Sequence, residues 1–295
     1  MYQFYNKWLF FVILVVLFGS AFSFIDISLE LFSPLFIAFT RVFISTIILF
    51  CICNYLKISF NFFYKNFFLI FILALTGTTI PFTFISWAQN YIDSSVTGIL
   101  IGFMPLFTII GSSLIGYEKL TLFSIFGFII GFVGILILSL DSISSLNLSN
   151  SLPQIAVIFS ALMYSINALL IKKLSHINIL PLSTTVMLVS SMQLILFLPF
   201  TDHIYIEQDI TNYSPILSLL FLSVFCTAIA TVIYYKIIKN SGPNFLSLVN
   251  YPVPIFAVLL GVTFLDEKLE VSSIIALALV LIGIYISQVK STNSR

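Results

Sequence analysis

Arg41 is the one charged residue that lies deep inside a long apolar stretch of the sequence. It follows Pro34 by seven residues, which corresponds to about 10 Å along an α-helix. A guanidinium at that depth is costly unless it reaches an interface, pairs with another group or faces water. Arg41 is therefore predicted either to extend to the membrane interface or form a structural bond, with a backbone carbonyl, Asp26 or Asp93, or to face a cavity and bind an anion such as a substrate carboxylate.

Polar side chains inside other apolar stretches are further candidates for substrate binding. The predicted substrate-binding residues are Arg41, Thr78, Trp87, Tyr164, Asn167, Gln193, Asn250 and Tyr251. Tyr164 and Asn167 share one helix face, and Asn250 shares a face with Pro254, where a disrupted helix exposes carbonyls to ligands. The alternative for each polar group is a structural hydrogen bond to another helix, and for Trp87 a place in the aromatic belt at the membrane surface.

Motifs for catalysis and for cofactors are absent from the sequence. There is no GxxxxGK[ST], HExxH or GxSxG pattern, so no catalytic residue, metal or cofactor is predicted. Cys51, Cys53 and Cys226 lie in apolar stretches without a CxxC spacing and are interpreted as apolar fillers. A net charge of +1 gives no electrostatic case for binding nucleic acid. No Asp or Glu lies within an apolar stretch, which favours facilitated diffusion or exchange over an internal proton relay.

Composition identifies lipid as the solvent of most of the chain. Apolar residues make up 60% of the sequence and charged residues 8%, whereas a soluble domain carries about 25% charged residues. A helix that crosses a bilayer needs about 20 apolar residues, and a period-two alternation typical of membrane barrels is absent. Ten helices are predicted, at approximately 8–26, 34–56, 67–87, 93–115, 121–140, 154–171, 182–200, 215–235, 244–264 and 271–289.

The distribution of basic residues predicts the orientation of these helices. With the N-terminus inside, one basic residue, Lys268, falls in an outer loop, and Arg41 is intramembrane. The other ten lie in cytoplasmic segments: Lys7, Lys57, Lys65, Lys119, Lys172, Lys173, Lys236, Lys239, Lys290 and Arg295. This bias follows the positive-inside rule. Both termini are therefore predicted to be cytoplasmic, and the short loops favour a bacterial inner (plasma) membrane.

The sequence also repeats itself at an offset of 149 residues. The segment 91–139 then falls on 240–288 with ten identities, among them Pro105 with Pro254 and 118–120 with 267–269. Each unit has five helices, and an odd number forces the second unit to enter from the opposite side. Glu118 and Glu267, which match in this alignment, are predicted to form interfacial salt bridges with Lys119 or Lys268, or to cap the next helix.

The predicted fold is an all-α membrane protein with ten transmembrane helices arranged as two inverted five-helix repeats. The first repeat comprises residues 1–140, an extracytoplasmic linker 141–153, and the second repeat 154–295. Inverted repeats are a frequent plan of transporters, in which the substrate site lies between the two halves. The first four helices of each repeat are therefore predicted to line a central cavity. Gly127, Gly131 and the similarly spaced Gly98 and Gly102 are predicted to allow close helix packing.

Several segments together carry a family resemblance. They are 18–23, 34–41, 94–98, 104–107, 118–121, 252–254, 265–268 and Gly283. In these the chain resembles the EamA-type permeases of the drug/metabolite transporter superfamily over essentially its whole length. The resemblance implies a ten-helix inverted-repeat transporter that exports or exchanges amino acids, metabolites or drugs, without implying a particular substrate.

The leading interpretation is a secondary transporter, an exporter or exchanger, that moves small metabolites such as amino acids or other carboxylates by alternating access. The alternatives are a multidrug efflux permease, a membrane-embedded lipid-modifying enzyme and a lipid carrier. An enzyme of that kind gathers carboxylates, histidines or metal ligands near an interface, and the sequence has no such cluster, so no enzymatic activity is predicted. Because both halves are in one chain, a monomer is predicted, with a dimer left open; the expected partners are a small-molecule substrate and the lipid bilayer.

Overall fold

The computed structural model describes residues 2–116, 121–144, 148–174, 176–200 and 212–288, and within these ranges the regular structure is helical, without a strand. Glu118, Lys119, Lys290 and Arg295, which the sequence analysis singled out, lie outside the described residues. The helices coincide with the apolar stretches of the sequence. Helices satisfy their own backbone hydrogen bonds, which an apolar environment requires.

The helices are numbered in chain order. They are α1 (Tyr2–Leu29), α2 (Pro34–Tyr55), α3 (Phe63–Ala88), α4 (Ser94–Leu114), α5 (Leu122–Ser144), α6 (Leu148–Ile171), α7 (Ile179–Ile195), α8 (Ser214–Gly242), α9 (Pro252–Phe264) and α10 (Val271–Gln288). Among the described residues, seven helices are long and apolar enough to cross a membrane, namely α1 to α4 and α6 to α8. The apolar parts of the other three, Leu122–Leu138, Leu248–Phe264 and Val271–Ser287, are shorter.

Three of these helices depart from regular α-helical geometry. A π-helical turn, Leu75–Thr79, interrupts α3, and a second one, Val224–Ile229, interrupts α8. The two turns begin 149 positions apart, which is the offset of the sequence repeat. In α4, Gly102 and Phe103 separate Ser94–Ile101 from Met104–Leu114, just before Pro105. Since a π turn replaces the i→i+4 bonds locally and clusters at functional sites, these breaks mark where polar side chains are needed.

Helix packing follows the same offset. The pairs in contact include α2 with α7, α4 with α9 and α5 with α10, and in each pair the two helices occupy the same place in the two halves of the sequence. In addition, α1 packs against α8 and α9, while α6 packs against the corresponding helices α3 and α4. These pairings are therefore unchanged when the two halves of the sequence are exchanged.

Glycine residues bring the backbones of α5 and α10 into direct contact. A β-carbon on Gly283 would lie 2.5 Å from the carbonyl oxygen of Gly127 and 2.8 Å from the backbone nitrogen of Gly131. Both distances are shorter than the contacts that β-carbons make with other heavy atoms in proteins. Residues with a side chain at Gly127 or Gly283 would therefore separate the two helices, as the spacing of small residues predicts.

We expect Gly283→Val to force α5 and α10 apart and to lower the stability by about 1–3 kcal/mol, the usual effect of inserting methyl groups into packed contacts. The measurement is the Tm of the purified protein in detergent. Ala278→Val, on the exposed face of the same helix, is the matched control and should leave the Tm unchanged. An unaltered Tm in Gly283→Val would contradict the direct contact between the backbones.

Candidate functional site

A central cavity of about 110 Å³ lies among the helices. Its walls are side chains of α1, α2, α3, α4, α6, α7, α8 and the region from Leu246 to Val253 that leads into α9. Five of the eight predicted binding residues line it: Arg41, Thr78, Tyr164, Asn167 and Asn250. About 10–15 Å³ of such space accommodates one water molecule, so the cavity has room for a small solute.

Arg41 projects from α2 into this cavity and is 4% exposed. Its Nε donates a hydrogen bond to Thr227 Oγ1 at 3.2 Å, and the guanidinium carbon lies 3.9 Å from the centroid of the Phe82 ring. A cation over a ring face is attracted to the π electrons. Within the part of the chain that the structure describes, no carboxylate forms an ion pair with Arg41 and its two terminal nitrogens have no hydrogen-bond partner. The proposed structural partners Asp26 and Asp93 do not bind it.

Thr227 is placed for this contact by the π turn of α8. Its hydroxyl donates to the carbonyl oxygen of Leu222 at 2.7 Å, five residues earlier and just before the π turn begins. Its remaining oxygen lone pairs face Arg41. Thr227 was not among the predicted binding residues, although it follows Thr78 by 149 positions, the offset of the sequence repeat.

The equivalent contact in the other half involves Thr78 and Ser190. Ser190 occupies the position of α7 that Arg41 occupies in α2, and its hydroxyl hydrogen-bonds to the hydroxyl of Thr78 in the π turn of α3. Ser190 Oγ also lies 3.3 Å from the carbonyl oxygen of Ala74. The two halves thus share one polar contact between a π turn and a neighbouring helix, but a charge is present in the first half alone.

Gln193, a predicted binding residue, belongs to this second contact and does not line the cavity. Its side-chain oxygen accepts a hydrogen bond from Thr79 Oγ1 at 2.5 Å, and its amide nitrogen donates to the carbonyl oxygen of Phe71 at 3.2 Å. Both groups of the amide are engaged with α3. These contacts favour the structural alternative for Gln193, and its contact with a substrate stays a prediction.

Asn167 connects α6 to the same π turn. Its amide nitrogen donates to the carbonyl oxygen of Leu73 at 2.9 Å and lies 3.4 Å from Thr76 Oγ1. Gly77 allows this approach, since a β-carbon there would lie 2.9 Å from the side-chain carbon Cγ of Asn167. The amide nitrogen of Asn167 is therefore structural, and the residue also borders the cavity.

Aromatic side chains form another part of the wall, beside aliphatic ones. Phe18 and Phe22 of α1, Tyr164 of α6 and the pair Tyr234 and Tyr235 of α8 line the cavity. The hydroxyl of Tyr234 is buried and has no hydrogen-bond partner in the described ranges. Tyr234 and Tyr235 were not predicted, because an aromatic pair near the end of an apolar stretch is equally typical of an interfacial anchor.

Trp87 and Tyr251 lie outside the cavity wall. Trp87 lines a separate open groove between α2, α3, α6 and α7, and its ring packs against Tyr91 at a centroid distance of 5.4 Å. Tyr251 is partly buried beside Asn250, but Asn250 and Val253 are the side chains that reach the cavity. Neither residue is among the described side chains that line the central cavity, and their contact with a substrate stays a prediction.

Glu267 binds the beginning of α4, and not the next helix or a lysine as predicted. Its carboxylate accepts hydrogen bonds from the backbone nitrogens of Ser94 and Ser95, at 2.8 Å and 3.1 Å, and from both serine hydroxyls. A carboxylate at a helix N-terminus satisfies free N–H groups and is stabilised by the helix dipole. Burial, and then the charges of Glu267 and Glu270, raise the pKa of the neighbouring Asp93. The acids at this end are thus close together, and four donors hold Glu267 among them.

Comparisons with known proteins place these observations in a family context. The model of the EamA-like transporter family matches the chain twice, at residues 6–140 and 152–288. An uncharacterized transporter of Archaeoglobus fulgidus is 26% identical over 281 residues, which cover 95% of this chain and 98% of that protein. The uncharacterized transporter YoaV of Bacillus subtilis is 21% identical, with 69% of each chain covered. A crystal structure with 15% identity superimposes with a TM-score of 0.70 over 96% of this chain and 97% of the other, which shows a shared fold.

We expect Gly77→Ala to displace the Asn167 amide from the carbonyl of Leu73 and to lower the stability by about 1–3 kcal/mol. Asn167→Ala removes the hydrogen bond but also makes room for the new methyl group. The double variant should therefore lose less than the sum of the single losses, by at least about 0.5 kcal/mol. Thermal unfolding of the three variants measures the difference, and strictly additive losses would show that Gly77 and Asn167 do not depend on each other.

Proposed function

The chain belongs to the EamA-like transporter family, and from this premise we propose that it is a secondary transporter that moves a small metabolite by alternating access. The observation that carries the proposal is Arg41, a buried cation that faces a cavity inside an apolar helix bundle and whose terminal nitrogens have no hydrogen-bond partner among the described residues. An intramembrane ionisable residue in such a position is typical of a substrate or ion site. The cavity is then the substrate site, and Arg41 binds an acidic group of the substrate.

The proposal includes ten membrane crossings in two inverted repeats, residues 1–140 and 154–295, joined by an extracytoplasmic linker at 141–153. Three observations support it: the two matches of the family model, the common offset of the two π turns, and the exchange symmetry of the helix contacts. Five helices per unit give the second unit the opposite orientation. The distribution of lysines supports cytoplasmic termini in a bacterial inner membrane.

A carboxylate-bearing metabolite, such as an organic acid or an amino acid, suits the chemistry of Arg41. Guanidinium groups bind carboxylates through two parallel charge-assisted hydrogen bonds, and the two terminal nitrogens of Arg41 are available for that. Tyr164 and Asn250 line the same cavity, and their hydroxyl and amide groups are further polar groups for a substrate. Transport is proposed to proceed by facilitated diffusion or exchange, since no Asp or Glu lies among the described residues that line the cavity.

Multidrug efflux is the second candidate, because the cavity wall is mainly apolar and includes six aromatic side chains, namely Phe18, Phe22, Phe82, Tyr164, Tyr234 and Tyr235. Such walls bind flat apolar compounds with little regard for their polar groups. Many lipophilic drugs are cations, however, and a cation would have to enter beside Arg41. The comparison of anionic with cationic solutes therefore separates the two candidates.

The inverted arrangement predicts which loops are accessible from each side. In a variant without Cys51, Cys53 and Cys226, a cysteine at Asn61 should react with a membrane-impermeant maleimide only after the cells are opened. A cysteine at Lys268 should react in intact cells. Labelling of both positions from the same side would contradict the ten crossings.

Arg41→Ala is expected to abolish transport while the amount of protein in the membrane stays near normal. The measurement is mass spectrometry of solutes that leave liposomes loaded with a cell metabolite extract, with the wild-type protein as reference. Thr227→Val is the control, because it removes the hydrogen bond to Arg41 but keeps the charge, and a partial flux should remain. Equal losses of protein and flux in Arg41→Ala would indicate that Arg41 is structural.

A further inference from the structure

We infer that the cavity selects a monoanion, namely a small monocarboxylate with an apolar body, over the zwitterionic amino acid of the same shape. This inference rests on the proposed function, since it names the substrate class of the same site. It follows from the balance of charge around Arg41, from the neutral groups that surround it, and from the size of the cavity.

Arg41 gives the cavity a full positive charge. Among the described residues that line the cavity it is the one side chain that is ionised at neutral pH, since the others are apolar, hydroxyl, amide, phenol or thiol groups. Its two protein contacts, the hydroxyl of Thr227 and the ring of Phe82, are both neutral. A buried charge requires an opposite charge for full compensation, so the missing negative charge has to come from the solute.

A zwitterion leaves that compensation incomplete. The ammonium of an α-amino acid sits on the carbon next to its carboxylate, so a carboxylate bound to Arg41 brings the ammonium close to the guanidinium. The cavity has no carboxylate for this second cation among its described lining residues. The side-chain oxygen of Asn167 and the faces of Tyr164 and Phe22 offer partial charges alone, and these do not cancel a like-charge repulsion in a medium of low dielectric constant.

A monocarboxylate meets none of these obstacles. Its carboxylate neutralises Arg41, and the buried hydroxyl of Tyr234, which has no partner in the described ranges, is a donor that an anion can use. The rest of the solute faces Phe18, Phe22 and Ile25. A volume of about 110 Å³ favours a small solute, since about 10–15 Å³ of such space accommodates one water molecule. The body of the solute is therefore a short branched chain or a single ring.

The test uses two solutes of nearly equal shape that differ in net charge. They are 4-methyl-2-oxopentanoate, a monoanion with nine non-hydrogen atoms, and leucine, its zwitterionic counterpart. The full-length protein is reconstituted in liposomes at pH 7.5, and uptake of each radiolabelled solute is measured by counterflow against an excess of the same solute, with protein-free liposomes as background. We expect uptake of the oxo acid to exceed that of leucine at least tenfold.

Two variants assign the selectivity to Arg41. Arg41→Gln should reduce uptake of the oxo acid to the background, whereas Arg41→Lys, which keeps the charge, should retain the preference for the oxo acid at a lower rate. Lys173→Gln removes an exposed positive charge far from the cavity and should change nothing. Since the comparison of the two solutes needs the wild-type protein alone, a variant that fails to fold does not prevent the test.

The outcomes separate this inference from the proposed function. Uptake of leucine equal to or above that of the oxo acid would overturn the selection for a monoanion, and the proposed transport function would still stand. Absence of uptake for both solutes would also overturn the inference for solutes of this size, while the metabolite efflux experiment with Arg41→Ala decides independently whether the protein transports at all. Selective uptake of the oxo acid that persists in Arg41→Gln would show that another group provides the charge.

Discussion

Internal satisfaction of backbone hydrogen bonds is the constraint on which the rest of this structure depends. In an apolar bundle no water is available to a released carbonyl, so each π turn needs side chains that replace the missing bonds. Thr227 bonds to Leu222 in α8, and Asn167 bonds to Leu73 in α3. The polar groups gathered for this purpose border the cavity, and Arg41 uses one of them as its anchor. The candidate site is thus built from groups that the backbone already required.

The positions of the helices were predictable because apolar length alone determines them. The predicted stretch 34–56 became Pro34–Tyr55, which begins at a proline, and 271–289 became Val271–Gln288, where the described residues end. The π turns of α3 and α8 and the interruption of α4 at Gly102 and Phe103 were not predicted, since the disruption that was predicted lies at Pro254. A π turn leaves no signature in apolar sequence, because Leu75–Thr79 and Val224–Ile229 differ in nearly every residue. Their common offset became visible when the structure showed both.

The residues of the site were predictable where burial of a polar group is itself unusual. Arg41 and Asn167 stood out in this way, and both line the cavity. Gln193 stood out equally, yet both groups of its amide form hydrogen bonds with α3. Whether they do so depends on the rotation of α7 about its axis, which the sequence does not reveal. Trp87 lines a separate groove, because the rotation of its own helix, α3, is likewise not revealed by the sequence. Tyr234 and Tyr235 were missed because aromatic residues are frequent throughout the chain, so their number hides their position.

The contact between the backbones of α5 and α10 has a mechanical consequence. No layer of side chains separates the two helices at Gly127 and Gly283, so this seam has little compliance. The carboxylate of Glu267 fastens the segment before α10 to the first turn of α4, which α9 also packs against. These four helices therefore form the stiff side of the bundle. Any deformation that lets a solute through falls on the softer side, where α2, α3, α7 and α8 meet and where both irregular turns and the guanidinium are found.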